Sequence, residues 1–176
     1  QYDRGNAIAT DADGNVYVSG EFTSSTITLG TISVNNLSSS GKDIFVAKLD
    51  ASGKELWVKV AGGNYSEESY GVAADKDGNV FITGRYGSNP AKFGDITIKS
   101  MNGTTDFFLA KYDASGKELW VKTAGGTLND GGFGLVTDAN GNAYVAGSFF
   151  SSSMNFESIT LTSAGVNDHY VVKFDG

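Results

Sequence analysis

The sequence predicts an all-β chain built from repeated four-stranded antiparallel units, and three observations predict it. Its apolar runs are short, rich in Val, Ile, Phe, Tyr and Trp, and bounded by Gly, Asp, Asn and Ser, which is the pattern of strands rather than helices. Its 24 glycines against a single proline, Pro90, suit many tight turns. And it repeats: the decapeptide DASGKELWVK fills residues 50–59 and returns at 113–122, inside a longer match at an offset of 62 to 64 residues.

Two stretches carry the register. Residues 8–20 align with 72–84 and 135–147, and residues 43–50 align with 106–113 and 168–175. Each unit predicts four strands, A to D; in the second unit A covers 71–75, B 79–86, C 106–112 and D 118–123. Asp-Gly or Asn-Gly joins A to B and supplies the positive φ of a tight hairpin. Asp-Ala-Ser-Gly-Lys joins C to D. Between B and C an extra element, at 27–34, 91–98 and 154–161, alternates on either side of a two-residue turn and predicts a small hairpin added to every unit. Both faces of the strands are apolar, with Val80 and Ile82 on one side of B and Phe81 on the other, so each sheet is expected between two others. Radially packed sheets meet that demand, which predicts β-propeller blades; an open β-solenoid or another stacked repeat is the competing architecture. The units span 1–63, 64–126 and 127–176, the third lacking its outer strand, so the chain is expected to hold just under three blades of an incomplete propeller domain.

With 40% apolar, 12% aromatic and 19% charged residues, the chain can bury a core. Thirteen Lys and Arg against twenty Asp and Glu leave a net charge of -7, and no basic run is long enough to follow a phosphate backbone, so nucleic acid is not an expected partner. No stretch approaches the roughly 20 apolar residues of a membrane-crossing helix, so no membrane insertion is expected. The opening QYDRGNAIAT has neither the basic nor the apolar region of a signal peptide, which leaves a signal already removed as an open alternative. Without cysteine there is no disulfide or thiol chemistry.

At residues 14–20, 43–53 and 61–63, with second copies at 78–84, 106–116 and 124–126, the sequence resembles the bacterial β-propeller repeat family often called SBBP. Units of that family read Gly-Asn-Val-Tyr-Val-Thr-Gly, then Asp-x-Phe-Val-Ala-Lys-Leu-Asp-x-Ser-Gly, then a short strand and Gly-Gly. The resemblance covers nearly the whole chain. It implies a secreted or surface-displayed protein with no general catalytic site. The Leu-Trp-Val-Lys and Phe-Gly-x-Ile-Thr elements are similar to large repeat proteins that Bacteroidota export by the type IX pathway. Closed propellers have about four to eight blades. Fewer than three repeats therefore imply a portion of a longer parent chain, or several subunits that complete a ring; the portion is preferred because unfinished blades expose strand edges.

Four groups of residues are weighed as sites. Asp11-x-Asp13-Gly14-Asn15 and its copies at 75–79 and 138–142 have calcium-loop spacing, but Val16, Val80 and Ala143 stand where an EF-hand needs glycine, so a hairpin turn is the better reading and no cofactor is expected. His169, aligned with Ile44 and Phe107, has no Cys or second His beside it and is read as structural. Trp57 and Trp120 recur in strand D as blade packing rather than sugar platforms. Asp43, Asp106 and Asp168 open strand C and are expected to cap a turn; repeated alike, they do not make the unlike carboxylate pair of a glycosidase.

In an antiparallel blade the connections alternate ends, so the D-to-A and B-to-C connections share one end, and the sequence variety gathers there. That long-connection end carries Tyr2, Asp3, Asn64, Tyr65, Glu67, Glu68, Arg85, Tyr86, Asn89, Asn129, Asp130, Phe149 and Phe150 as candidate binding residues. The expected function is a non-enzymatic, secreted or cell-surface module for interaction or adhesion with a protein or glycan. A propeller region of a polysaccharide-degrading enzyme and a structural spacer in a surface filament are the alternatives.

Overall fold

A computed structural model describes residues 1–38, 41–100 and 104–176; among these it has seventeen strands and no helix. The first blade holds β1 (Asp3–Thr10), β2 (Val16–Phe22), β5 (Asp43–Leu49) and β6 (Glu55–Gly63), with the hairpin β3 (Thr26–Leu29) and β4 (Ile32–Asn35) between β2 and β5. The second holds β7 (Glu67–Ala74), β8 (Val80–Tyr86), β11 (Asp106–Tyr112) and β12 (Glu118–Ala124), with β9 (Ala91–Phe93) and β10 (Ile96–Ile98) as its hairpin. The third has three strands, β13 (Asp130–Thr137), β14 (Ala143–Phe149) and β17 (Asp168–Phe174), and the hairpin β15 (Ser153–Phe156) and β16 (Ile159–Thr162). All pairings are antiparallel.

Two features differ from the sequence expectation. The inner strand of the second blade begins at Glu67, four residues before the expected Gly71, because a one-residue β-bulge between Ser69 and Gly71 interrupts the alternation. The same bulge recurs between Gly5 and Ala7 and between Gly132 and Gly134. The added hairpin, expected as an appendage of its own unit, reaches across to the preceding one: β9 pairs with β6, Ala61 to Phe93 and Gly63 to Ala91, so the first sheet has six strands. A single bridge from Asn155 to Gly125 begins the same join between the third and second units.

The turns account for the repeated letters. Asp11 Oδ1 accepts bonds from the Asp13 and Asn15 amides at 3.0 and 2.9 Å, while Oδ2 accepts from Asn15 Nδ2 at 2.7 Å and the Tyr17 hydroxyl at 2.8 Å. Asp75 and Asp138 hold their turns in the same way. The calcium-like spacing is thus that of a turn whose carboxylate is engaged by its own amides. In the decapeptide, Asp50 accepts from the Ser52 and Lys54 amides, and Glu55 turns to the hairpin of its own blade, accepting from the Thr31 amide at 2.7 Å. Trp57 reaches forward instead: its Nε1 donates to the Ala114 carbonyl, 3.1 Å away in the second copy of the decapeptide. Gly116 of that copy lies under the indole, where a Cβ would come within 2.8 Å of the ring.

The core lies between blades. Tyr17, Ile44, Val46 and Trp57 of the first pack against Val72, Ile82, Phe108 and Tyr112 of the second. Phe81, Phe107 and Leu109 of the second pack against Val145, Phe156 and Tyr170 of the third. Each strand therefore buries both faces where it has neighbours on both sides, as its unbroken apolar runs require.

Candidate functional site

The three inner strands begin with a carboxylate at the long-connection end: Asp3, Glu67 and Asp130. Each folds back to cap the connection after its neighbouring strand. Asp3 accepts from the Thr23 and Ser24 amides at 3.1 and 3.0 Å, Glu67 from the Ser88 amide at 2.9 Å and the Gly63 amide at 3.0 Å, and Asp130 from the Ser151 hydroxyl at 2.8 Å. Asp43 and Asp168 cap in turn the loop that precedes strand C, accepting from the Leu37 and Ala164 amides respectively. Burial raises the pKa of Glu67, with the nearby Asp43 charge adding to it, and burial also raises those of Asp43 and Asp130. These groups hold the loops in place; Glu67 and Asp130 are buried and do not present a carboxylate to solvent.

Above them lies an ion-pair network that joins the first two blades. Glu68 accepts from Lys42 Nζ, Arg85 Nε and the Tyr70 hydroxyl, each at 2.5 Å. Glu21, fully buried, faces Arg4 at 3.6 Å and Lys42 at 3.5 Å and accepts from Asn6 Nδ2 at 2.6 Å. Burial would raise the Glu68 carboxyl, but the bonds from Lys42 and Tyr70 and the Arg85 charge outweigh it and hold the pKa at about 2. The three cations share two carboxylates, which leaves one positive charge in excess on a chain that is otherwise acidic. The Tyr2 ring completes the cluster, with Arg4 and Lys42 each 5.7 Å from its centroid.

The bulges aim the residues that connect blades. Asn6, Tyr70 and Phe133 are the extra residues of the three inner strands. Asn6 Nδ2 donates to the Ser69 carbonyl of the next blade at 2.9 Å, and Tyr70 places its ring 5.1 Å from that of Phe133. A bulge redirects a side chain without breaking the strand, and here it places one variable residue per blade along the inner side of the assembly.

Of the residues expected at this end, Tyr2, Asp3, Asn64, Tyr65, Asn89, Asn129 and Phe150 are exposed and Arg85 is half-buried. Glu67, Glu68, Asp130, Tyr86 and Phe149 are buried. Tyr86 donates its hydroxyl to the Lys99 carbonyl at 3.0 Å, and Phe149 packs with Tyr170, so both are core residues rather than loop contacts. Glu21, Lys42, Arg4, Tyr70 and Phe133 were not singled out by sequence. Their signal was present as single-letter variation inside a repeated frame: Glu21, Arg85 and Ser148 align with one another, as do Asn6, Tyr70 and Phe133. His169 lines a groove on the outward face of the third blade with Ala146, Ser148 and Val171.

No family model matches the chain. It is 31% identical over 141 residues to the regulatory protein FlaEY of Caulobacter vibrioides, a match covering 78% of this chain and 15% of that protein. It is 27% identical over 167 residues to an uncharacterized WD repeat-containing protein of Acanthamoeba polyphaga mimivirus, covering 85% of this chain and 12% of that one. The chain therefore spans about an eighth to a seventh of the curated relatives it matches. The second likeness is that of a β-propeller-like repeat chain, in keeping with the blades described above.

The Glu68 network sets a pH dependence with a definite sign. Its folded pKa of about 2 lies below the ordinary 4.5, so its contribution is complete above about pH 4.5 and is lost as the pH falls towards 2. Glu68→Gln is expected to lower stability by about 2 kcal/mol at pH 7. Denaturant titrations of variant and wild type should converge near pH 2; a gap that persists there would assign the loss to packing rather than charge.

Proposed function

We propose that this chain is a non-enzymatic propeller module of a secreted or cell-surface bacterial repeat protein, and that it binds a protein or glycan through its long-connection end. The supporting observation is the asymmetry of the two ends. One end repeats the same self-capped Asp turns in blade after blade. The other presents the exposed rings of Tyr2, Tyr65 and Phe150, with the Arg4 guanidinium 5.7 Å from the Tyr2 ring, Arg85 sharing a crevice with Phe150, and the Phe150 amide held by the buried Asp130 carboxylate. Rigid aromatic side chains next to charge-paired arginines combine large contact area with small ordering cost, which suits recognition. The surface location is supported by the resemblance of the repeat motifs to secreted propeller proteins.

A glycan array and a panel of extracellular proteins test the reading. Tyr65→Ala and Phe150→Ala are each expected to weaken binding roughly tenfold, about 1.4 kcal/mol, while Ser52→Ala at the opposite end leaves it unchanged. Equal losses from both ends would contradict the assignment. Turnover in a hydrolase or lyase screen, abolished by replacing a carboxylate at the long-connection end, would put the polysaccharide-degrading alternative in its place.

A further inference from the structure

Asp43 of the first blade and Glu67 of the second meet where the two blades join, and Gly62 makes the room for them. The place where a Gly62 Cβ would stand lies 2.0 Å from Asp43 Oδ1 and 3.0 Å from Glu67 Oε2. Both residues are wholly buried. Two carboxylates placed in this way do not both stay ionised, because each charge is costly away from water and each makes the other costlier. Burial is the first cause that raises both pKa values, and the Asp43 charge raises that of Glu67 further.

The bonds around the pair are unequal. Glu67 Oε1 accepts from the Ser88 amide at 2.9 Å, and Oε2 from the Gly63 amide at 3.0 Å. Asp43 Oδ2 accepts from the Leu37 amide and, at 3.2 Å, from the Ser38 amide. Asp43 Oδ1 is the one oxygen of the four without a hydrogen-bond donor among the described residues, the Gly63 amide being turned to Glu67. A buried acceptor with no donor gains a role once it carries a proton of its own. The cations of the neighbourhood do not relieve it. Lys42 Nζ is held by Glu68 and Glu21, and Arg85 by Glu68. Lys92, opposite Gly62 on β9, is exposed and forms no ion pair among the described residues. Tyr86, opposite Glu67 on β8, donates its hydroxyl to the Lys99 carbonyl.

We propose that Asp43 and Glu67 hold one proton in common, carried on Asp43 Oδ1 and donated towards Glu67, and that its loss to solvent at alkaline pH loosens the connections the two residues cap. The pair then titrates as a unit. Both folded pKa values lie above the ordinary 3.8 and 4.5, so the stabilisation is complete below that range and is lost as the pH rises through the folded values, the reverse of Glu68. The movement has a definite address. Glu67 fixes Ser88, whose hydroxyl oxygen accepts from the Tyr65 amide at 2.7 Å, so the setting of Tyr65 depends on the proton whatever that end of the blades binds.

Thermal melts of the chain at about pH 5 and about pH 9 test the assignment. Asp43→Asn puts a permanent donor where the proton sits and keeps an acceptor for Leu37 and Ser38. It should melt within about 1 °C of the wild type at the lower pH and roughly 4 °C above it at the higher. Glu67→Gln sets an N–H group against an amide donor and should melt roughly 4 °C below the wild type at the lower pH. The opposite ranking at the lower pH, with Gln tolerated and Asn damaging, would overturn the placement of the proton. A difference between Asp43→Asn and wild type that is the same at both pH values would overturn the shared proton itself. Carboxyl carbon-13 titration of the wild type needs no variant. Asp43 should still be protonated at a pH where Asp50 and Asp113, held low by their bonds from Ser52 and Ser115, have ionised, and ionisation together with them would count against the pair.

Discussion

Phe107→Ala is expected to lower the free energy of unfolding by about 4 kcal/mol, at the upper end of single core truncations. Phe107 is wholly buried and is the point at which the second and third blades are held together. Its ring lies 5.5 Å from Phe156, 6.1 Å from Tyr170 and 6.1 Å from Phe174, three residues of two different strands, β15 and β17, in the third unit. Removing it takes away the shared partner of all three and leaves a void that neither sheet fills without giving up its own register. Urea unfolding followed by tryptophan fluorescence should show the midpoint fall. His169→Ala, at the aligned position one blade on, should cost less than about 1 kcal/mol because it faces an open groove. Equal costs at the two positions would show that Phe107 acts within its own sheet rather than between blades.

Gly84→Ala should be nearly as damaging, at about 3 kcal/mol, through collision rather than cavity. Gly84 pairs with Ser69 beside the Tyr70 bulge, and there the inner strand comes so close that a Cβ would strike the Glu68 carbonyl oxygen. The obstacle is backbone, so it cannot swing aside. Strand β7 would have to move, and with it the Glu68 carboxylate that holds Lys42 and Arg85. The variant should therefore lose both stability and the low-pH signature of Glu68. Gly20 and Gly147 meet the Arg4 and Gly131 carbonyls in the same way, so alanine at either should behave similarly. Gly165→Ala, which meets no atom within 4 Å, should stay within about 0.5 kcal/mol of wild type. A mild effect at Gly84 would mean that the bulge is not rigidly held.

That glycine also shows how far the sequence could be read. Gly84, the last letter of the Gly-Asn-Val-Phe-Ile-Thr-Gly stretch, is visible as a repeat, but its reason lies on the opposite strand. Strands B, C and D were legible because their apolar residues run together and their ends are marked by Asp turns, which act within a few residues, so that the bulge of strand D at Leu56 and Leu119 did not hide it. The start of strand A was not, because one bulged residue shifts every later side chain to the other face and hides the alternation. Site reasoning met the same limit. Acidic letters in connections suggested solvent-facing groups, whereas Asp3, Glu67 and Asp130 turn back onto amides about 20 residues away. The cluster around Glu68 draws Lys42 from before β5 and Arg85 from β8, a meeting that only the packing of two sheets produces. Glu21, at the end of an apolar strand, was passed over in the sequence, although a carboxylate taken out of water must have partners.

The reach of Trp57 into the next DASG turn bears on how such a chain is inherited. One ten-residue word encodes both the probe and its receptacle, so an in-frame duplication adds a unit already fitted to its neighbours on both sides, and a deletion of one unit brings together two that still match. Selection on this segment thus acts on the word rather than on any one copy, because a change to the indole or to the turn is compatible only with a matching change in the copy beside it. The identity of residues 50–59 and 113–122 is in keeping with such coupled change, while the inner bulges, free of that constraint, differ as Asn, Tyr and Phe.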